Sequence, residues 1–237
     1  MLFRSDRIMP VNQRWSLFPK GPKAVLPPNG AMVLGLRDVQ GYDSLFPGQY
    51  KDFMNRLAGQ GKDASPLEVG NMVFAKDPYS PLVAKAGVRV IASMEPLTLP
   101  GSYEKYVDGI YLYDLMDAPG RAYTAPGSDI QWLEDGPTRV TLRLGADFDA
   151  TLRLADQRYP GWHATVDGRE VSIGRDDIFR RVHVPSGLHT VRFIYRPAAF
   201  QVGLYLMLAA ASICIAVMMG RLGRIGQMGV GDAISSV

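Results

Sequence analysis

Tyr159-Pro160-Gly161-Trp162-His163-Ala164-Thr165-Val166-Asp167-Gly168 reads as a turn, a strand and a second, tighter turn. Side chains along a strand alternate between its two faces. Trp162, Ala164 and Val166 therefore share one face, and His163 and Thr165 the other. Asp167-Gly168 supplies the positive φ angles that a two-residue hairpin turn needs. The same period of two continues on both sides of this stretch. Val140, Leu142 and Leu144 alternate with Thr141 and Arg143, and Leu152 and Leu154 with Thr151 and Arg153. Val182 and Val184 alternate with Arg181 and His183, and Val191, Phe193 and Tyr195 with Thr190 and Arg192. Such runs, repeating at intervals of roughly 8–12 residues with turn residues between them, predict a β-sandwich over residues 128–199. Pro185-Ser186-Gly187 is read as closing one of its hairpins, and Trp162 as a core tryptophan.

The sandwich runs directly into residues 200–219, which carry no formal charge and only Gln201 and Ser212 as clearly polar side chains. At ~1.5 Å per residue such a helix reaches ~30 Å, the thickness of a bilayer core. Its apolar residues surround the whole helix, which favours lipid over the core of a soluble domain. A transmembrane helix is predicted over residues 200–220, and a disordered tail over 221–237. Arg192 and Arg196 precede the span while Arg221 and Arg224 follow it, so local charge does not set its orientation.

Upstream, residues 1–30 read as loop, because Pro10, Pro19, Pro22, Pro27 and Pro28 interrupt any helix. Residues 31–36 are expected to form a short buried strand, followed by a polar, glycine-bearing loop over 35–44. Tyr50, Phe53, Met54 and Leu57 recur at helical spacing until Gly59 and Gly61. Residues 68–75 and 88–92 read as strands, and Ser80-Pro81 opens a short helix ending at Gly87. Residues 103–114 form a hairpin about Asp108-Gly109, and the proline–glycine pairs at 119–120 and 126–127 place a boundary near 127. The predicted class is α+β: a small mixed α/β domain over 1–127, an antiparallel β-sandwich over 128–199 and one C-terminal transmembrane helix.

Composition narrows the function. A chain of 237 residues with 47% hydrophobic content can build a core. The balance of 26 basic against 23 acidic residues, without a basic run, gives nucleic acid no electrostatic footing. The one cysteine, Cys214, permits neither an internal disulfide nor a cysteine-based zinc site. Met1 to Arg7 lacks the apolar stretch of a signal peptide. No phosphate-binding glycine loop or nucleophile elbow appears. His183 and His189 flank one turn, but two ligands from a single ribbon make a poor metal site, and solvated strand faces explain them better. Asp38 and Asp43 invite an acid–base reading as in a hydrolase. Carboxylates in such loops more often cap turns or pair with an arginine such as Arg37.

Three ordered blocks carry a resemblance. The first is Leu26-Pro27-Pro28-Asn29, then Gly35-Leu36-Arg37-Asp38-Val39-Gln40-Gly41-Tyr42-Asp43-Ser44-Leu45-Phe46-Pro47 and Tyr50. The second is Ala86-Gly87-Val88-Arg89-Val90-Ile91. The third is the stretch from Tyr159 to Gly168, with Val184-Pro185-Ser186-Gly187-Leu188-His189-Thr190-Val191 and Tyr195-Arg196-Pro197. In this order and spacing they resemble the C-terminal part of the YfhO-like family of bacterial polytopic membrane proteins, over most of residues 25–205. The resemblance implies a glycosyltransferase-like protein of the GT-C type that uses polyprenyl-phosphate-linked sugars to decorate cell-surface polymers or lipids. It also implies a cytoplasmic-membrane location with the soluble part extracytoplasmic. The family's catalytic acid lies in an early loop among N-terminal helices that this sequence lacks. No catalytic residue, metal or cofactor is carried over, and the missing helices are expected on a separate or interrupted reading frame. Left alone, a chain with one late span would insert as a tail anchor.

The expected partners are thus the lipid bilayer, a lipid-linked sugar or surface glycan, and the missing transmembrane portion as a separate chain. Arg37, Asp38, Tyr42 and Asp43 are the candidate binding residues, with Arg37 pairing an anion and Tyr42 stacking on a sugar. The rival reading is a structural or interaction module without a ligand. There the same loop fixes the contact between the two soluble domains. Exposure of Arg37, Tyr42 and Asp43 in an open cleft, or their burial between domains, separates the two readings.

Overall fold

The computed structural model describes residues 6–12, 23–27, 29–43, 45–59, 72–124 and 129–231; the side chains of Tyr42, Met72 and residues 220–231 lie outside that description. The chain divides into two compact units, residues 1–159 with 163–194, and residues 160–162 with 195–237. The first unit is α+β and holds a mixed sheet with short helices followed by two antiparallel sheets.

The mixed sheet has five strands. β1 (Arg7–Val11) runs parallel to β2 (Arg37–Asp38) on one side and to β5 (Val88–Ser93) on the other. β6 (Ser102–Val107) and β7 (Ile110–Leu115) complete it as an antiparallel hairpin, in the order β2-β1-β5-β7-β6. The predicted Asp108-Gly109 turn is present, with φ of 49° and 84°. β1 corrects the reading of residues 1–30 as loop. Pro10 is tolerated inside it for a geometric reason. The Ile8 carbonyl accepts Val39 N–H on the β2 side, so Pro10, two residues on, also turns its nitrogen that way, beyond the end of β2.

The expected buried strand over residues 31–36 is replaced by a one-turn helix, α1 (Gly30–Val33). Asn29 adopts a left-handed φ of 68° and Gly35 closes the turn at φ 65°, while only Ala31 is buried. The apolar run is too short to pair; Met32, Val33 and Leu34 face solvent, while Leu36 packs half-buried against Ile8, Ala31 and Val90. β3 (Gly41–Tyr42) pairs with β4 (Met72–Val73), and the rest of the predicted strand over 68–75 lies partly outside the described residues. α2 (Gly48–Leu57) follows the predicted periodicity and buries Phe53, Met54 and Leu57. α3 (Leu82–Lys85) opens after Ser80-Pro81 and ends at Gly87 as expected. These helices cover one sheet face around Met9, Val88, Ile91 and Tyr113.

The sandwich begins earlier than residue 128. β8 (Ala122–Tyr123) pairs with β11 (Ala150–Gln157), in a sheet of order β14-β15-β11-β8 with β14 (Gly174–Asp176) and β15 (Phe179–Val184). The facing sheet has the order β13-β12-β16-β10-β9. It comprises β9 (Asp129–Asp135), β10 (Arg139–Ala146), β12 (Trp162–Val166), β13 (Arg169–Val171) and β16 (Gly187–Tyr195). Of the alternating residues named from sequence, Val140, Leu142, Leu144, Leu152, Leu154, Val182, Val184, Val191 and Phe193 are buried, and Tyr195 is half-buried. The Asp167-Gly168 turn joins β12 to β13, with φ of 49° and 81°. Pro185-Ser186-Gly187 does not close a hairpin. β15 and β16 belong to different sheets, so this turn arches across the sandwich. Nor is Trp162 a fully buried core residue: it is half-buried and packs on Tyr195, with ring centroids 5.2 Å apart.

In the second unit α4 (Ala198–Gly231) is a single helix whose residues 198–219 are long and apolar enough, by length and composition, to cross a membrane. It continues past the point where a disordered tail was expected, to Gly231, and residues 232–237 lie outside the described residues.

Gly87 holds the mixed domain against the sandwich. Its φ is +69°, and a Cβ there would lie 2.8 Å from Arg121 Cα and 2.9 Å from the Gly120 carbonyl oxygen. Backbone atoms cannot give way as a flexible side chain can. Gly87→Ala is expected to destabilise the chain by about 2 kcal/mol or more, read by denaturant unfolding of the full chain in micelles.

Candidate functional site

The four candidate residues separate along β2 and the turn after it. Arg37 and Asp38 are strand neighbours and project to opposite sides. Arg37 reaches Asp135 at the end of β9, donating from Nε to Oδ2 at 3.0 Å and from Nη2 to the backbone carbonyl at 3.3 Å. It is thus part of the junction between the mixed domain and the sandwich, half-buried and already paired. Asp38 instead lines a cavity of about 510 Å³ bounded by both domains. Its Oδ1 accepts the Gln40 backbone N–H at 2.9 Å and its Oδ2 the Gln40 side-chain amide at 3.3 Å. Asp43 lies on the rim of the same cavity, exposed, and accepts the Leu45 N–H at 3.0 Å as a turn cap. Tyr42 is placed in β3 by its backbone; the stacking role expected of its side chain falls outside the described residues.

The cavity wall combines apolar rings with a few polar groups. Phe46, Phe53, Met54 and Phe179 supply apolar surface, and Arg7 and Gln157 add polar groups beside Asp38. Phe53 and Phe179, one from each domain, meet edge to face with centroids 5.0 Å apart. The Tyr50 hydroxyl donates to the Val39 carbonyl at 2.8 Å and fixes the backbone between Asp38 and Gln40. Burial pushes the Asp38 carboxyl up to about 6 against the hydrogen bonds from Gln40, so it keeps its proton, and can donate, at pH values where an ordinary aspartate is ionised. Burial, with the Asp38 charge added, also raises the Tyr50 phenol and keeps it protonated.

A second group of residues holds this cavity in shape, and reading the sequence missed it. Arg121, with its side chain 2% exposed, donates to both oxygens of Asp156 at 2.7 Å and from Nη1 to both oxygens of Asp135 at 2.9 Å. Its guanidinium also lies 4.7 Å from the centre of the Trp132 ring. Arg7 donates from Nη1 to the carbonyls of Ala86 and Ala155, one in each domain, and from Nη2 to Asp156 at 3.1 Å. Arg180 approaches Asp156 at 3.7 Å. Burial alone would raise Asp156. The hydrogen bonds and charge of Arg121, with Arg7 and Arg180, outweigh it and hold the carboxyl well below the usual range. A signal for two members was present in the sequence. Asp156 has the strand parity of Leu152 and Leu154, and Arg180 that of Val182 and Val184, so both charges point inward.

On the opposite face of the mixed sheet a wider groove of about 1130 Å³ runs between β6, β7 and β9, with Tyr103, Lys105 and Trp132 in its walls. The histidines do not converge. His163 lies 3.2 Å from Glu170, His183 3.6 Å from Asp149, and His189 2.6 Å from Asp167. His189 is not a solvated strand residue as expected. Its second nitrogen lies 3.1 Å from the Ser186 carbonyl, and the Asp167 hydrogen bond, aided by Ser186, raises its pKa. Among the described residues no three His, Cys, Asp or Glu side chains are grouped as metal ligands would be.

Two outcomes follow from these charges. In the unfolded chain the Asp38 carboxyl titrates near ~3.9, and in the folded chain near about 6. A raised folded value means that its contribution is complete below the unfolded pKa and lost as pH rises through the folded one. Stability is expected to fall by about 3 kcal/mol between these two values on this account alone. Asp38→Asn should remove that slope, read as the difference between the two pH–stability profiles. Arg121→Ala leaves two carboxylates buried without their main partner and is expected to cost ~3–5 kcal/mol in denaturant unfolding.

Comparison of the chain with protein-family models, curated proteins and solved structures found no match in any of the three.

Proposed function

We propose that the chain is the membrane-anchored, non-catalytic C-terminal region of a YfhO-like glycosyltransferase-type protein, and that its interdomain cavity holds the saccharide part of a lipid-linked sugar or a surface glycan. The observation that carries this reading is the placement of Asp38 and Asp43 on one cavity beside the Phe46 ring. A buried carboxyl that is neutral part of the time both donates to and accepts from hydroxyl groups. An exposed carboxylate at the rim and an amide from Gln157 add further acceptors and donors. Apolar walls with a few convergent polar groups are the usual make-up of a small-ligand site, and aromatic rings suit the C–H face of a sugar. The soluble part is read as extracytoplasmic at a bacterial cytoplasmic membrane, as the family resemblance implies.

One observation favours the rival reading for part of the site. Arg37, expected to pair with an anionic ligand group, is spent on Asp135. The β2 strand therefore serves the domain junction with one side chain and the cavity with the next. A structural module without a ligand needs only the first of these.

Titration of the full chain in nanodiscs with neutral hexose and N-acetylhexosamine oligosaccharides tests the reading, with binding read by NMR line broadening of the sugar. Binding is expected, and Asp38→Ala should weaken it roughly tenfold, the equivalent of one or two lost hydrogen bonds. A folded chain that broadens none of the sugars would leave the structural module as the function.

A further inference from the structure

α1 and the turn after β3 leave four apolar side chains in solvent. Met32, Val33 and Leu34 are 71%, 89% and 63% exposed, and Leu45 is 89% exposed. Single exposed hydrophobics are ordinary on any surface, whereas three consecutive ones at the tip of a turn are not. Nothing about the turn requires them to be apolar. Ala31 is buried against Ile8 and Val90 and fixes the base, and Gly35 at φ 65° closes the turn.

One of these side chains, Met32, lines the interdomain cavity. Asp43 and Phe46, which bracket Leu45 in the chain, line it as well. Met32 and Asp43 are exposed as well as lining, so they mark where the cavity meets solvent.

The same chain carries a helix long and apolar enough to cross a bilayer, with none of its apolar window buried in the protein. A tether of that kind keeps the other exposed apolar side chains at high effective concentration near lipid. An apolar surface presented there enters the boundary between headgroups and acyl chains. We propose that the tip formed by Met32, Val33, Leu34 and Leu45 inserts into the lipid surface, so that the cavity beneath Asp38 opens at the bilayer. A ligand reaching it from that side is one whose sugar is carried on a lipid rather than free in solution. Only this last step, the nature of the ligand, rests on the saccharide reading above; insertion of the tip does not.

Cys214 is the one cysteine of the chain, so Cys214→Ser gives a clean background for site-specific labels. Val33→Cys, Leu45→Cys and, as reference, Phe148→Cys in the β10–β11 turn would each carry an environment-sensitive fluorophore. The full chain would be reconstituted at one copy per nanodisc. All three positions are exposed, so labelling does not threaten the fold. At 33 and 45 the emission should shift to the blue, respond to a nitroxide on the lipid chain and lose most of its quenching by aqueous iodide. At 148 iodide should quench freely. Equal iodide quenching at 33 and 148 would overturn the proposal. So would shielding from both quenchers at 33, which would assign the tip to a protein surface such as a second copy. Insertion without oligosaccharide binding would count against the saccharide reading alone, and binding without insertion against the lipid contact alone.

Discussion

Arg121 sits between two carboxylates, and the first unit depends on that arrangement. Its guanidinium bonds Asp156 through two nitrogens and Asp135 through the third, which uses the planar fork fully. Around it Arg7, Arg37 and Arg180 also converge on these two acids, so four guanidinium groups meet two carboxylates. The surplus of positive charge is not idle. Burial, with the charges of Arg121 and Arg7 adding to it against the pull of Asp156, pushes Arg180 down to about 10, and Arg7 is lowered as well. An apolar plug of equal volume would avoid that cost. It could not, however, satisfy the carbonyls of Ala86 and Ala155 at once, as Arg7 does from either side of the domain junction. The network thus specifies how the mixed sheet seats on the sandwich, with backbone acceptors as well as acids as its fixed points.

The seating decides the chemistry of the cavity. β2 has two residues, and alternation sends Arg37 to the junction and Asp38 to the cavity. With Arg37 held by Asp135, the donors to the Asp38 carboxyl among the described residues are the backbone and side chain of Gln40 and the backbone of Val39. Burial then dominates, and its carboxyl titrates two units or so above the ordinary value. Had Arg37 paired with Asp38, as adjacency in sequence suggests, the carboxyl would be a fixed anion and the domain junction would lose one of its ties. One interaction therefore sets both the geometry of the site and the protonation of its central group.

Much of the fold was legible because the sandwich strands keep a strict period of two and the hairpin turns at 108–109 and 167–168 use the residues that positive φ demands. The misreadings have physical causes. Pro10 reads as a strand breaker, but among the described residues β1 has a pairing partner there on the β5 side only. Residues 31–36 read as a buried strand on hydrophobicity alone, whereas the chain there forms one turn that buries Ala31, half-buries Leu36 and sends Met32, Val33 and Leu34 outward. Ser186 looked like a hairpin turn, since sequence shows where a chain turns and not which sheet it enters next. For the site, the Gly-bearing loop drew attention to Arg37, Asp38 and Asp43, and all three do lie at the domain junction or its cavity. Arg121 was hidden among turn residues, and its partners come from strands far apart in the chain, which no local pattern connects.

The opening stretch shows how turn punctuation and packing coincide. Pro160-Gly161 marks a turn, and Tyr195-Arg196-Pro197 marks the end of β16 before α4. In the second unit these two pieces touch. Arg196 N–H donates to the Gly161 carbonyl at 2.6 Å, and Trp162 packs on Tyr195. Gly161 has φ +99°, and a Cβ there would stand 2.9 Å from Pro197 Cα and 3.0 Å from the Tyr195 ring. The glycine is therefore required twice, by its backbone angle and by the closeness of Pro197. Pro197 in turn fixes φ just before the helix, and its carbonyl accepts the N–H groups of Phe200 and Gln201. The start of the apolar helix is thus held by the very residues that, read alone, only said where a strand begins and ends.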